Sequence, residues 1–189
     1  MRHQKPTDVL KADHKTIKDI INILNTCAIM IKERKKIDPG ILKEAVSLVN
    51  NFTHRYHRRK EESVLFKIMA RKGSLTGLGL NNVATMINEH DEGAVYVRKL
   101  AALLKDSVNY KVFHKRTVLK NLHGYISLLS SHLMYEENVL YPVINKMLNR
   151  QEQQNVLKSF EAIEEEMANI GDADRYKNAI KNLERRLRD

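Results

Sequence analysis

The sequence predicts an all-α protein: a four-helix up-down bundle with additional helices after it. Three observations predict this. Apolar residues recur in alternating steps of four and three, the spacing of a buried helix face. Alternation of period two, the mark of a half-buried strand, is absent. Glycine and proline are confined to breaks between the periodic stretches.

The first helix is expected to start after Pro6, with Thr7 or Asp8 as N-cap. Its stripe is Leu10, His14, Ile17, Ile21, Leu24, Ala28 and Ile31, so His14 should face the core. Basic residues over 32–36 suit the negative end of its dipole. Asp38-Pro39 is a helix-start signature, with Asp as cap and Pro in the first turn. It opens a second helix to about Ala70, with Leu42, Val46, Val49, Thr53, His57, Glu61, Val64 or Leu65, and Ile68 on one face. Gly73, Gly77 and Gly79 then suggest a flexible crossover.

A third helix is expected from about Asn81, on Val83, Ile87, His90, Ala94, Val97, Ala101 and Leu104. After a polar break at 106–109, a fourth carries Leu122, Ile126, Leu129, His132, Glu136 and Val139 or Leu140, and Pro142 should kink or end it. A fifth, on Val156, Phe160, Ile163, Met167 and Ile170, has an acidic face at Glu161, Glu164, Glu165 and Glu166 and stops at Gly171-Asp172. A last, basic helix carries Tyr176, Ile180, Leu183 and Leu187. Residues 1–149 are thus expected to form the bundle. Residues 150–189 form a helical extension packed on it or on a partner.

Composition narrows the function classes. With 42% apolar and 30% charged residues among 189, the chain can bury a core of ordinary size. One cysteine, Cys27, rules out an intrachain disulfide and a cysteine-built metal site. No run approaches the roughly 20 apolar residues that span a bilayer, and the N-terminus lacks a signal-peptide core. A cytoplasmic protein without membrane contact is expected. The net charge of +10 would attract anions at long range, and Arg55, Arg58, Arg59 and Lys60 form a local basic run. Solvated helix faces explain these charges more simply than nucleic acid, since no recognition motif or stacking aromatic set accompanies them.

The informative pattern is a repeat of ionisable residues at core positions. His57, Glu61, Glu62, Val64 and Leu65 recur 75 residues later as His132, Glu136, Glu137, Val139 and Leu140. His14, which follows Asp13, recurs 76 residues later as His90, which follows Glu89. A histidine and a glutamate four residues apart share a helix face and can reach one point. A lone core histidine is usually just hydrogen-bonded, but four imidazoles and two carboxylates buried together would cost several kcal/mol per unpaired charge. Metal ligation removes that cost. His14, His57, His90 and His132 with Glu61 and Glu136 offer a nitrogen and oxygen set suited to iron, with manganese or zinc as alternatives. The two-fold repeat implies two metals: His14 with His57 on one, His90 with His132 on the other, Glu61 and Glu136 between them.

Asp13, Glu62, Glu89 and Glu137 adjoin these ligands and are candidates to orient the imidazoles, with a solvated face as the competing reading. His54 lies one turn before His57, but its repeat partner is Leu129, so packing or an outer contact is expected. His3, His114 and His123 read as ordinary.

The order His, His-x3-Glu-Glu-x2-Leu-Phe, His, His-x3-Glu-Glu-x2-Leu-Tyr-Pro resembles the hemerythrin-like HHE cation-binding domain over about residues 7–149. The segment Phe160-Glu-Ala-Ile-Glu-Glu-Glu resembles the helix that follows that domain in many prokaryotic members. The resemblance implies a four-helix bundle holding two non-haem irons bridged by two carboxylates and an oxo or hydroxo oxygen. It carries metal roles to His14, His57, Glu61, His90, His132 and Glu136. Hemerythrins proper have a further histidine where this chain has Ala94, so solvent, a tyrosine such as Tyr56 or Tyr135, or a carboxylate is expected to fill that position. The chain is read as a stand-alone domain, without the cysteine-bearing N-terminal module of iron-sulfur repair relatives.

The leading expectation is therefore a protein that binds, senses or reacts with dioxygen, peroxide or nitric oxide at a di-iron centre. A peroxidase-like, catalase-like or oxidase enzyme at the same centre, or iron-centre repair, is the second reading. A basic module binding nucleic acid or protein is the third. A protein partner or a homo-oligomer is compatible with all three.

Overall fold

The computed structural model describes residues 4–35, 37–76, 80–105, 112–167 and 173–188. It is helical, with no strand among these residues. Helix α1 is Pro6–Lys32. Helix α2 is one continuous helical run, 39–76, in which π-helical stretches at Val49–His57 and Glu61–Leu65 alternate with α-helix. Helix α3 is Leu80–Lys105. Helix α4 is again composite, Val112–Tyr135 followed by a π stretch Glu136–Leu140 and by Tyr141–Met147. Helices α5, Arg150–Glu166, and α6, Ala173–Arg186, complete the chain.

Helix ends follow local chemistry. The first N-cap is Lys5 rather than Thr7 or Asp8, because Pro6 takes the first helical position, where its missing N–H costs nothing. Asp8 instead accepts the Lys5 N–H at 2.9 Å. The α1 C-terminus closes with Lys35 N–H on Met30 O at 3.0 Å and Arg34 N–H on Ile31 O at 3.3 Å, which forces Arg34 to a left-handed φ of 59°. Asp38 caps α2 as expected, its carboxylate accepting Gly40 N–H at 2.8 Å.

Three expectations change. Helix α2 runs past Ala70 and through Gly73 to Thr76; Gly77 and Gly79 lie outside the described residues, as do the break at 106–109 and Ile170 to Asp172. Gly93 and Gly124 sit inside helices, not at breaks. Pro142 does not end α4. It falls in the first turn after the π stretch, where a proline is tolerated, and the helix continues to Met147.

Helix α1 packs against α2 and α4, and α3 against the same two, so the four form a closed ring in chain order. Their shared interior is two apolar cores. One runs from Ile17 to Ile31 on α1, with Leu42 to Tyr56, Val97 to Leu104 and Val118 to Leu133. The other gathers Leu10, Leu65, Phe66, Met69, Met86, Leu140, Tyr141 and Ile144. Helix α5 seals the second core with Val156 and Phe160 and reaches the first with Ile163; α6 adds Tyr176, Ile180 and Leu183 to the first. Several stripe positions shift by one residue: Ile20, Met69, Met86, Leu100 and Tyr125 are buried, whereas Ile21, Ile68, Ile87 and Ile126 are half-buried and Ala101 is exposed. The cores leave a polar layer between them, at the level of residues 14, 57–61, 90 and 132–136.

A candidate metal centre between two apolar cores

Each helix of the bundle delivers side chains to this layer. His14 comes from α1, His57 and Glu61 from α2, His90 from α3, His132 and Glu136 from α4. All six are buried, with His14, Glu61 and Glu136 at 0% exposure. They form two overlapping groups. One ligand atom from each of His14, His57, Glu61 and Glu136 lies within 4.8 Å of the others, and the same holds for Glu61, His90, His132 and Glu136. Both glutamates belong to both groups. Each also opens a π-helical stretch, and the wide turn follows the sequence repeat from 61–65 to 136–140.

The outer ring is as regular as the inner one. Asp13 of α1 accepts from His57 Nδ1 on α2 at 3.2 Å, and Glu62 of α2 from His90 Nδ1 on α3 at 2.8 Å. Glu89 of α3 accepts from His132 Nδ1 on α4 at 2.7 Å, and Glu137 of α4 from His14 Nδ1 on α1 at 2.9 Å. Every helix thus orients the imidazole of the next, and the circuit closes. The four acidic neighbours are not a solvated face. Adjacency in sequence misleads here, because each serves a histidine on another helix. Ionised carboxylates only accept, so all four Nδ1 atoms carry hydrogen and all four Nε2 atoms point inward.

Those inward atoms are crowded with lone pairs. His90 Nε2 faces His132 Nε2 at 3.0 Å. His57 Nε2 lies 3.4 Å from Glu61 Oε2, and His14 Nε2 3.3 Å from Glu136 Oε2. His57 Nε2, Glu61 Oε2 and both Glu136 oxygens are buried without a hydrogen-bond partner. Such a cluster needs a cation. Without a metal, protons serve: burial works against the charged form, but Glu136, Glu61 and Glu89 outweigh it and lift the His132 pKa to about 9. His14 and His90 move the same way against burial, drawn up by Glu136 and by Glu61 with Glu62 respectively. Burial opposes ionisation of Glu136, yet His132 and His14 hold its pKa well below the usual carboxylate range. The donor set therefore fits a divalent or trivalent cation, and the orphaned atoms are where it would bind.

Tyr141 is the site residue the sequence reading missed. Fully buried, it donates to Glu61 Oε1 at 2.8 Å and stands 3.0 Å from His14 Nε2. Its place in the Leu-Tyr-Pro segment was the available signal. Tyr56 and Tyr135 do not fill the position opposite Ala94. Tyr56 donates to Glu164 on α5 at 3.0 Å, and half-buried Tyr135 packs against the second core. Lys60, also buried, joins Glu164 at 2.6 Å to Asp13 at 3.1 Å, tying α5 to the outer carboxylate ring. His54 is an outer contact, accepting or donating to the Tyr125 hydroxyl at 3.2 Å. His123 is exposed, and the side chains of His3 and His114 lie outside the described residues. Cys27 is buried, its thiol pushed up to about 12 by burial, and far from nucleophilic. No described helix is long and apolar enough to cross a membrane.

Three similar curated proteins are described as uncharacterized, one from Mycobacterium bovis and two from strains of Mycobacterium tuberculosis. Each is 21% identical over 168 residues, covering 89% of this chain and 63% of its own length. The chain therefore spans less than two thirds of these relatives. The family model described as the hemerythrin HHE cation binding domain matches residues 5–144, the stretch that holds all six inward-facing residues. The chain belongs to the hemerythrin HHE cation-binding domain family.

Proposed function

We propose that the chain is a di-iron protein that binds, senses or reacts with a small oxidant or diatomic ligand: dioxygen, peroxide or nitric oxide. The observation that carries the reading is the closed carboxylate ring, which fixes four Nε2 lone pairs on two orphaned glutamates. His14 and His57 would hold one ion and His90 and His132 the other, with Glu61 and Glu136 between them. Iron there would supply a redox couple and an open position for the ligand.

The chain's own residues set the conditions of that chemistry. Asp13, Glu62, Glu89 and Glu137 hold each Nδ1–H and turn each Nε2 inward, where a metal ion would take the place of the proton. Tyr141, whose pKa burial and the charges of Glu136 and Glu61 push well above the usual range, keeps its proton and donates to Glu61. The two apolar cores exclude bulk water from above and below.

The test is optical. Protein loaded with ferrous iron without air and then aerated is expected to develop near-ultraviolet absorption, and a chain carrying both His57→Ala and His132→Ala is expected to lack it. Equal absorption in the two proteins would remove the proposal.

A further inference from the structure

The two halves of the centre differ in the space around them. On the His14 and His57 side, the Tyr141 hydroxyl fills the room beside Glu61 and His14 Nε2. On the His90 and His132 side lies a cavity of about 20 Å³, enough for one water-sized molecule. Its wall includes Thr53, His54, Gly93 and Tyr125 together with His90 and His132 and, from the other half, His57 but not His14.

Two features of this wall point to an occupant. Thr53, 5% exposed, has a hydroxyl near Tyr125 that makes no hydrogen bond of good geometry. A buried hydroxyl left in that state is costly unless something in the cavity meets it. Gly93 is the second. A β-carbon there would stand 3.2 Å from His54 Cε1 and 3.5 Å from Tyr125 Cε2, so the absence of a side chain leaves His54 its place against the cavity. His54 in turn is linked to the Tyr125 hydroxyl at 3.2 Å. Small residues on α3 and a histidine from α2 thus build a polar wall on the side where Ala94 leaves no imidazole.

We propose that this cavity is a subsite for a hydrogen-bond-accepting ligand of one or two heavy atoms, held between the His90 and His132 side of the centre and a polar wall of Thr53, His54 and Tyr125. The proposal rests on the metal reading given above and adds the side on which the ligand enters. Burial, with His90 and Arg58 nearby, pushes His54 down to about 3, so its ring offers a neutral N–H. Arg58, held by Glu62 at 2.7 Å and Asp91 at 2.7 Å, is one of the partly exposed lining residues, with Glu89 and Leu128.

Cyanide, an anion of two heavy atoms, is the probe, titrated into the iron-loaded full chain and followed by visible absorption. His54→Leu keeps the bulk and removes the hydrogen bond; it is expected to weaken cyanide binding about tenfold, or about 1.4 kcal/mol. Gly93→Ala favours the helix but drives the His54 ring toward the cavity, and is expected to weaken binding by about fivefold. Thr53→Val replaces either variant if that variant fails to hold iron, with about a fivefold loss expected. Iron content per chain should equal that of the parent. Cyanide affinity within about twofold of the parent in these variants at full iron content overturns the subsite alone. A parent chain that takes up no iron overturns the metal reading, and the subsite with it.

Discussion

Four carboxylates decide what the four histidines can do. A neutral imidazole has one N–H and one lone pair, and an acceptor at Nδ1 fixes which nitrogen is which. Removing one acceptor charge should therefore loosen metal binding without touching a direct ligand. Asp13→Asn, which keeps shape and hydrogen-bond capacity, is expected to lower metal affinity by about tenfold in competition with a chelator. Unchanged affinity would mean that the ring is only structural. The same geometry gives a pH dependence. In the metal-free chain His132 is raised to about 9, so its contribution to stability is full below the unfolded value of about 6.5 and is lost as pH rises through about 9. A metal must displace that proton, so uptake should release protons at pH 7.5 and affinity should climb between pH 7 and 9, as read by titration in weak buffer.

At the scale of the helix, the ends and the π stretches carry the specific information. Arg34 holds a left-handed φ of 59° to close α1, a conformation that costs a non-glycine residue about 1 kcal/mol. Arg34→Gly is expected to raise stability by up to about that amount in urea unfolding, less the entropy that glycine adds to the unfolded chain. A loss of stability would show that the Arg34 side chain contributes more than the backbone strain. The helices themselves were legible from the apolar period, and Asp38-Pro39 marked a start correctly. Pro142 does not end its helix, because a π turn lets a proline sit inside a helix and period alone does not announce one. Gly93 misled for a related reason: its role is to leave room for His54, a contact between helices that no local pattern encodes.

Across the whole molecule, the polar layer lies between two apolar cores, and helices α5 and α6 complete those cores. The centre is thus sealed by parts of the chain far apart in sequence. Binding a metal to the folded state alone stabilises it by mass action. Chelation of the loaded chain is therefore expected to lower its melting temperature, and no change on chelation would place the metal elsewhere. The repeat at 75 and 76 residues made the six inward-facing residues legible, since one spacing had to serve both halves. Tyr141 and the cross-helix direction of the carboxylate ring were not legible, because they depend on which helices are neighbours and on the rotation of each.

The most direct test of the central claim is metal analysis of the chain after anaerobic loading with ferrous iron and removal of excess. The centre proposed above, two overlapping groups of donors sharing Glu61 and Glu136, would hold two irons per chain. A value near two, falling in a Glu61→Ala, Glu136→Ala chain, is the predicted result; a value well below one per chain would contradict the account.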